Sequence, residues 1–270
     1  MITDWDDAYA NGAHIDGAAD YPPRWMEEAE AFRRSLGERA QLDIAYGEKP
    51  RQRFDLFLPE TSPRGLVIFV HGGYWRAFDK SAWSWLAAGP LARGWAVAKP
   101  SYTLAPEARI ADITKEIGAA IEAAAKMVEG PIRLTGHSAG GHLVTRMNCS
   151  DAPLSPAVAE RIERTVSISG LHDLRPLIRT AMNNDLRIDE KEAAAESPAL
   201  LTPREGARTI CWVGAAERPE FVRQNALLAN VWTGLGANMS VHEAEGEHHF
   251  NVIDGLAAPD GPLCEALCGA

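Results

Sequence analysis

The sequence predicts an α/β fold in which a mostly parallel central sheet is covered by helices on both faces. Short runs such as Gly65–Val70 and Thr209–Gly214 are almost entirely apolar, which is typical of strands that are buried on both sides. Helical patterns separate these runs, and this alternation is typical of parallel strands joined by crossover helices. The first two predicted strands, Gln41–Tyr46 and Gln52–Leu58, are joined by a short turn and therefore predict an antiparallel edge.

Apolar periodicity and turn residues place the other elements along the chain. Further strands are predicted at Trp95–Tyr102, Pro131–Gly136, Arg164–Gly170 and Met239–Ala244. Helices are predicted at Trp25–Leu36, Ser81–Gly94 with an interruption at Pro90, Ala111–Glu129 with Met127 on its apolar stripe, Gly140–Asn148, residues 174–182, Glu190–Ala195, Glu220–Leu235 and a terminal helix beginning near Phe250. We expect one domain over residues 1–270, with residues 1–40 packed near the functional site and forming no domain of their own.

The length and charge of the chain argue against several classes of protein. Its 270 residues carry a formal charge of −10, and no basic stretch marks a nucleic-acid or anionic membrane surface. No apolar run reaches the roughly 18 residues of a membrane span, and the acidic N-terminus lacks the layout of a secretory signal. Four cysteines do not make a disulfide framework in a chain of this length, so we expect reduced thiols, Cys264 and Cys268 included, and a cytoplasmic protein.

A serine nucleophile is predicted from the segment Gly136–Gly141, GHSAGG, which contains the pattern G-x-S-x-G with Ser138 at its centre. A sharp turn from strand to helix holds such a serine in a strained conformation with its hydroxyl exposed, and small flanking residues avoid crowding. The same pattern also occurs without this function, because serine is a common helix N-cap. Here a buried strand precedes the motif and an apolar helix follows it, which is the context that a nucleophile requires.

The base and the acid that such a serine needs are expected after the later strands. His248 and His249 lie in the loop between the last strand and the terminal helix, and their position alone does not separate them. Glu217 and Glu220 follow the strand before that loop, and Asp173 is a rival acid after the strand that precedes it. From pattern alone Glu217 is favoured as the acid.

The segment His71–Trp75, HGGYW, follows the predicted strand Gly65–Val70. Two glycines at a strand end let the backbone turn its N–H groups into a pocket without side chains in the way, which an oxyanion hole requires. The expected oxyanion-hole donors are the backbone N–H groups of Gly72, Gly73, Tyr74 and Ala139. We expect His71 itself to pack or bond behind this loop.

Aromatic side chains near this loop are candidates for a substrate pocket. The predicted pocket residues are Trp75, Tyr102 and His137, and Phe78, Trp83 and Trp85 are candidates for an aromatic wall. The alternative is that these rings only bury a helix against the sheet.

The segment His242–His249 is rich in residues of the metal-ligating types but is not an H-E-x-x-H motif, so neither a metal nor a cofactor is expected.

These motifs resemble the kynurenine formamidase, or arylformamidase, branch of the α/β-hydrolases, which neighbours the hormone-sensitive-lipase-like esterases. The similar segments cover most of the chain and include Tyr46–Pro59, HGGYW, GHSAGG, Ser169–Leu177, Glu196–Leu201, Glu217–Phe221 and the HHF segment that ends at Phe250. The resemblance implies an α/β-hydrolase fold with Ser138, His249 and Glu217 as the catalytic triad. The family usually has aspartate where this chain has Glu217, and the extra methylene requires a slightly different backbone position.

The resemblance implies a serine hydrolase that cleaves a small carboxylic ester or an aryl formamide through an acyl-enzyme on Ser138. A dedicated N-formylkynurenine formamidase, and a thioesterase or acyltransferase with the same triad, are the alternatives. A non-catalytic ligand-binding homologue is a remote alternative, because fold alone does not imply activity. The expected partner is a small acyl substrate, without nucleic acid or membrane, and a homodimer is left open.

Overall fold

The computed structural model describes residues 2–269 and contains an eight-stranded sheet in the order β1-β2-β4-β3-β5-β6-β7-β8. The strands are β1 (Ala40–Ala45), β2 (Arg53–Phe57), β3 (Leu66–Val70), β4 (Ala96–Pro100), β5 (Ile132–His137), β6 (Ile162–Ile168), β7 (Arg208–Gly214) and β8 (Asn238–Ala244). β2 pairs antiparallel with both β1 and β4, and the other neighbouring strands pair parallel. The predicted parallel sheet with an antiparallel N-terminal edge is confirmed.

Helices connect most of these strands. The α-helices are α1 (Trp5–Ala8), α2 (Tyr21–Leu36), α3 (Ala88–Ala92), α4 (Ile110–Ala125), α5 (Ala139–Arg146), α6 (Pro156–Arg161), α7 (Asn183–Leu186), α8 (Glu190–Ala195), α9 (Pro219–Gly234) and α10 (Pro262–Cys268). Short 3₁₀ helices cover Gly12–His14, Ala18–Asp20, Gly37–Arg39, Lys80–Ala87, Arg175–Arg179, Pro198–Leu200 and Asp254–Leu256. The helical pattern between strands that the sequence predicts is therefore present.

Both faces of the sheet are covered, as the side chains of β3 show. Leu66, Ile68 and Val70 pack in one apolar cluster with residues of α4 and α5. Val67 and Phe69 alternate with them and pack in a second cluster with α2, the 3₁₀ helix before α3, and α10. Burial on both faces explains why this strand is apolar at every position, since alternation is expected only when one face meets water.

The topology places several loops at one edge of the sheet. β3, β5, β6, β7 and β8 run parallel, so their carboxyl ends meet at the same edge, where open α/β sheets bind ligands. The residues that follow these five strands include Gly72, Ser138, Ser169, Glu217 and His249. These residues are far apart in sequence but are brought to one edge of the fold.

Four details differ from the sequence-based expectations. The terminal helix begins at Pro262 and not near Phe250, because residues 250–261 form turns and a short 3₁₀ helix in a segment interrupted by Pro259 and Gly261. Residues 174–182 contain a five-residue 3₁₀ helix in place of an α-helix. α4 ends at Ala125, which leaves Met127 beyond the helix and 47% exposed. Pro90 lies in the first turn of α3, where a missing N–H costs no helical hydrogen bond.

Two further observations concern the thiols and the helices. Cys149, Cys211, Cys264 and Cys268 are free thiols and all four are buried. Across residues 2–269, no helix has both the length and the apolar character that crossing a membrane would require.

Candidate active site

Ser138 lies at a sharp turn between β5 and α5, where its backbone adopts a left-handed φ of 56°. Left-handed backbone is strained for a residue with a side chain, so the surrounding contacts must hold it in place. The Ser138 N–H donates to the Ile168 carbonyl oxygen at 2.8 Å, which ties the turn to the end of β6. Ser138 thus has the strained strand-to-helix geometry that the G-x-S-x-G pattern predicts.

The glycines of this motif allow α5 to approach the sheet closely. A Cβ atom at Gly140 would collide with the Val70 carbonyl oxygen, and a Cβ atom at Gly136 would collide with the Gly140 carbonyl oxygen. Any larger residue would therefore push α5 away from β3 and β5. The close packing holds the N-terminus of α5, with its positive dipole end, directly behind Ser138.

Glu217 and His249 form a buried pair at the ends of β7 and β8. The Nδ1 atom of His249 lies 2.6 Å from Oε2 of Glu217, and the side chains are 5% and 0% exposed. A carboxylate accepts the N–H of a histidine, so this contact places the proton on Nδ1 and leaves Nε2 as the basic nitrogen. His249 also lines the same cavity as Ser138. Of the three residues that the family resemblance implies as a triad, the structure places His249 in contact with Glu217 and in the same cavity wall as Ser138.

Two more donors fix the carboxylate of Glu217. The Gly214 N–H donates to Oε1 at 2.9 Å, and the Ser169 hydroxyl donates to the same oxygen. Both donors come from the ends of strands, Gly214 from β7 and Ser169 from the position after β6. Hydrogen bonds to the ionised form stabilise a buried carboxylate, so Glu217 can remain the partner of a histidine that becomes charged. No motif in the sequence marks Ser169 for this role, although it lies in the family-like segment Ser169–Leu177.

The rival acids have other partners. Asp173 pairs with the guanidinium of Arg175 through contacts of 2.8 and 2.9 Å. Glu220 accepts the hydroxyl of Tyr9 at 2.7 Å and pairs with Arg223. These partners account for both carboxylates as structural groups near the site.

His248 has its ring nitrogens engaged elsewhere. Its Nε2 atom lies 3.1 Å from the Tyr21 hydroxyl, and its Nδ1 atom accepts the Phe250 N–H at 3.2 Å. Its neighbour His249 instead reaches Glu217 and the cavity that contains Ser138. Of the two histidines that position alone left open, only His249 has the surroundings of a general base.

The loop after β3 lies against Ser138. A Cβ atom at Gly72 would lie 3.0 Å from the Cβ of Ser138 and 2.8 Å from the His137 carbonyl oxygen. Gly73 and Tyr74 follow with left-handed φ values of 105° and 50°. The Gly73 carbonyl accepts the N–H groups of Arg76 and Ala77, each at 3.0 Å, which closes the loop as a tight turn. Gly72, Gly73 and Tyr74 line the cavity with Ser138, and Ala139 is the next residue along the chain, at the start of α5.

His71, Tyr102 and Trp75 lie behind this loop and not in the cavity. His71 donates from Nδ1 to the Gly72 carbonyl at 2.8 Å and stacks on Tyr102 with 4.4 Å between ring centroids. Tyr102 and Trp75 are both fully buried, and Trp75 packs edge-on against His142 at 5.1 Å. The assignment of Trp75 and Tyr102 to the substrate pocket is therefore corrected: both support the loop from the side of the core.

A cavity of about 600 Å³ opens above Ser138. Its wall includes the aromatic residues Tyr9, Trp25, Tyr74, Phe78, Trp83 and Phe250. Phe78 and Trp83 are thus part of the expected aromatic wall, whereas Trp85 lies on a different surface depression beside Phe32. Such an apolar cleft with a few polar groups at its base is typical of a small-molecule site.

His137, the residue before Ser138, also lines the cavity. Its ring centroid lies 4.5 Å from that of His249. Burial and the neighbouring His249 hold the pKa of the His137 imidazole well below its usual range, because the charged form would lose its hydration. A neutral imidazole therefore packs against the candidate base.

The N-terminal segment contributes residues that no motif indicated. Tyr9, Asn11 and Trp25 line the cavity together with other residues between Asp6 and Ala13. Met182, from the connection between β6 and β7, lies on the same wall. The sequence predicts only that residues 1–40 pack near the site, because the cavity-lining side chains of this segment follow no recognisable spacing.

Within residues 2–269 the structure contains no cluster of three or more His, Cys, Asp or Glu side chains suited to a metal ion.

Comparison with known proteins identifies the family. The BD-FAE family model matches residues 54–201, more than half of the chain. The kynurenine formamidase of Danio rerio is 27% identical over 235 residues, covering 84% of this chain and 80% of the relative. That of Drosophila melanogaster is 28% identical over 252 residues, covering 87% and 83%.

A solved structure resembles the whole chain. It is the crystal structure of a protein from Silicibacter sp. TM1040, named as a candidate thioesterase, with 54% identity, a TM-score of 0.94 and 98% coverage of both chains. The chain therefore belongs to the BD-FAE family, and it is an ester- or amide-cleaving hydrolase of the α/β-hydrolase fold that is related to the kynurenine formamidases.

Proposed function

We propose that this protein is a serine hydrolase that cleaves a small carboxylic ester or an aryl formamide through an acyl-enzyme on Ser138. The observation that carries the proposal is the 2.6 Å contact between Glu217 and His249, because His249 also lines the cavity into which the strained Ser138 turn opens. A nucleophile, a base and an acid that orients the base are the parts that acyl transfer requires.

Acylation begins with proton transfer from the Ser138 hydroxyl to Nε2 of His249. The serine oxygen then attacks the carbonyl carbon of the substrate and forms a tetrahedral oxyanion. Glu217 holds the Nδ1–H tautomer of His249 and stabilises the imidazolium that forms. The hydrogen bonds from Ser169 and Gly214 keep the carboxylate in place during this step.

The oxyanion is stabilised by backbone N–H groups of Gly72, Gly73, Tyr74 and Ala139. Preorganised donors of this kind contribute roughly 3–4 kcal/mol each to transition-state stabilisation. The left-handed turn at Gly73 and Tyr74 directs the loop backbone towards the cavity rather than into a strand ladder. The helix dipole of α5 adds positive potential at the same place.

Collapse of the tetrahedral intermediate breaks the bond to the leaving group. His249 donates its Nε2 proton to the departing oxygen or nitrogen, so that an alcohol or an amine leaves in neutral form. A water molecule then repeats the sequence: His249 accepts its proton, its oxygen attacks the acyl carbon, and the proton returns to Ser138 as the carboxylic acid departs. The net reaction consumes one water for each ester or amide bond cleaved.

The aromatic cavity favours a substrate with an aryl group on one side of the cleaved bond. Phe78 and Trp83 form part of a wall that suits stacking against a flat ring. The relatives named kynurenine formamidase align with more than four fifths of this chain. Their name supports an aryl formamide as a candidate substrate beside an aryl ester. The relative that is 54% identical and named as a candidate thioesterase favours a thioester as the second candidate substrate class.

The first experiment tests the nucleophile. Purified protein is assayed with p-nitrophenyl acetate, and Ser138→Ala is expected to lower kcat by at least about 10³-fold because the covalent route is lost. Ser35→Ala, on the exposed face of α2, serves as the matched control and should retain full activity. Activity that survives in Ser138→Ala would contradict the proposal, as would an inactive wild-type protein.

The second experiment identifies the substrate class. Wild-type kcat/KM is measured side by side for N-formylkynurenine, p-nitrophenyl acetate and an acetyl thioester of an aryl thiol. A preference of orders of magnitude for the formamide would assign a dedicated formamidase. A preference for the ester would assign a general esterase, and a preference for the thioester would assign a thioesterase.

A further inference from the structure

The hydroxyl of Tyr74 ties the loop after β3 to the N-terminal segment. It donates to the Tyr9 carbonyl oxygen at 2.6 Å and lies 3.4 Å from the Nδ2 donor of Asn11. Tyr74 is half-buried, and Asn11 is buried with 6% exposure. Tyr74 lines the same cavity as Ser138.

Tyr9 continues this connection towards the other side of the site. Its hydroxyl donates to Oε1 of Glu220 at 2.7 Å and accepts from Nε2 of Gln224 at 3.3 Å. Both partners lie on α9, the helix that begins at Pro219, two residues after Glu217. The Tyr9 ring also packs edge-on against Phe221, whose own ring lies 4.5 Å from that of His249.

Residues 9–11 therefore join the two halves of the site, and we call them the bridging segment. One half is the loop after β3, which carries Gly73 and Tyr74. The other half is the start of α9, next to Glu217 and packed against His249. The bridging segment contacts both halves: the hydrogen bond from Tyr9 to Glu220 is buried, and the one that Tyr9 accepts from Tyr74 is partly buried.

We propose that the bridging segment positions the oxyanion hole, with Tyr74 as the positioning residue whose hydroxyl holds its own backbone N–H in place. The inference rests on the proposed function. Tyr74 has a φ of 50°, and a left-handed residue with a bulky side chain keeps that conformation only where its surroundings impose it. Tyr9 and Asn11 impose it here through the end of the Tyr74 side chain. An oxyanion donor is effective only within a few tenths of an ångström of its position, so loss of this anchor affects the transition state more than the bound substrate.

The test compares Tyr74→Phe with wild type on p-nitrophenyl acetate. Removing the hydroxyl frees the loop to shift, and we expect kcat to fall roughly 10- to 100-fold while KM changes by less than about 2-fold. Tyr46→Phe is the matched control, because the Tyr46 hydroxyl also donates to a backbone carbonyl, that of Ser101, at 2.6 Å but away from the cavity. Tyr46→Phe should keep the wild-type kcat.

A second readout separates positioning from general stability. An aryl boronic acid that forms a tetrahedral adduct with Ser138 should bind Tyr74→Phe more weakly, by the same factor as the fall in kcat. Phenol, a ground-state ligand of the same aromatic cavity, should bind both proteins equally. Unchanged boronate affinity, or a Tyr74→Phe variant that behaves like Tyr46→Phe, would overturn the proposal.

The other end of the bridge provides an independent variant. Tyr9→Phe removes the hydroxyl bonded to Glu220 and leaves the Tyr9 carbonyl that accepts from Tyr74. We expect a smaller fall in kcat, roughly 3- to 10-fold, again with parallel weakening of the boronate. A Tyr9→Phe variant with the kcat and boronate affinity of wild type would show that α9 does not hold the bridging segment. That result would overturn the proposal that this segment joins the two halves of the site. The proposed function is tested first, by whether wild type hydrolyses the ester and Ser138→Ala does not. Its failure can therefore be distinguished from failure of the proposal on the bridging segment.

Discussion

Glu217 and His249 meet at 2.6 Å although 32 residues of chain separate them, and neither side chain is open to solvent. The pair joins the loop after β7 to the loop after β8. Glu217 is additionally held by the Gly214 N–H and the Ser169 hydroxyl, so its longer side chain is fixed at three points. Donors at the strand ends therefore hold the carboxylate of this glutamate within reach of His249.

Glu217→Gln is expected to lower kcat by roughly 10³–10⁴-fold with little change in KM. The amide keeps the size of the side chain but offers an N–H as well as an oxygen to His249, which permits the wrong tautomer of the imidazole and cannot stabilise its charged form. The measurement is steady-state hydrolysis of p-nitrophenyl acetate, with far-UV circular dichroism to show that the variant is folded.

Asp173→Asn is the control for this prediction. Asp173 is the rival acid by sequence, but it pairs with Arg175 and not with a histidine. The Asp173→Asn variant should keep kcat within about 2-fold of wild type, because the Asp173 carboxylate bonds to Arg175 and Asp173 does not line the cavity that contains Ser138. A large loss in Asp173→Asn, with retained activity in Glu217→Gln, would reverse the assignment of the acid.

The three candidate triad residues, which all follow strands of the sheet, could be predicted from the sequence. Ser138 is marked by two glycines that a close helix-to-sheet approach requires, and those glycines are read directly from the chain. Several titratable residues follow each strand, and pattern alone favours Glu217 as the acid but does not separate His248 from His249. The family resemblance separates the two histidines in sequence, and the contact of His248 with Tyr21 is a physical reason for the same choice.

The walls of the cavity could not be predicted in the same way. Trp75 follows β3, as Gly72 and Gly73 do, and Tyr102 follows β4, yet both side chains lie in the core, where they pack against His142 and His71. For Trp75 this placement accompanies a left-handed turn at residues 73–75, which has no sequence signature beyond Gly73. Tyr9 reaches the cavity through contacts with residues more than 60 positions away, and no local pattern encodes such contacts.

Phe78→Ala is expected to weaken binding of aryl substrates selectively. Phe78 is 39% exposed at the rim of the cavity and packs edge-on against Trp83 at 5.6 Å. Loss of this ring removes contact area that contributes about 1–2 kcal/mol, which corresponds to a rise in KM of roughly 5- to 30-fold for phenyl acetate. Methyl acetate should be hydrolysed with an unchanged KM. Trp85→Ala, from the same stretch of sequence but outside the cavity, is the control, and an equal effect in both variants would contradict the assigned wall.

Gly140→Ala is expected to disrupt the turn at Ser138. The added Cβ would collide with the Val70 carbonyl oxygen, which belongs to a buried strand and cannot move aside. Overpacking of this kind costs typically about 1–3 kcal/mol, and the shift of α5 should also lower kcat. Urea denaturation measures the free energy of unfolding. Gly234→Ala is the control, because a Cβ there meets nothing within 4 Å, and the alanine should leave α9 equally stable or stabilise it slightly.

The free energy of unfolding is expected to fall as the pH decreases from about 6.5 towards 4. Burial lowers the pKa of His71 to about 4 and those of His142 and His172 to about 3. In the unfolded chain these imidazoles bind a proton near pH 6.5, whereas in the folded protein they stay neutral until the pH reaches these lower values. The unfolded state therefore takes up more protons across this window, and each group removes about 1.4 kcal/mol of stability per pH unit.

His172→Gln isolates one of these contributions. His172 lies in the interior beside Ser167 and Asn225, does not line the cavity that contains Ser138, and carries no proposed catalytic role. Urea denaturation at pH 7.5, 6.0 and 5.0 gives the slope of the unfolding free energy against pH for both proteins. Because one proton fewer is taken up on unfolding, the slope of the variant between pH 6.0 and 5.0 should be smaller by about 1.4 kcal/mol per unit. An identical slope would mean that His172 is already protonated in the folded state, against the effect expected from its burial.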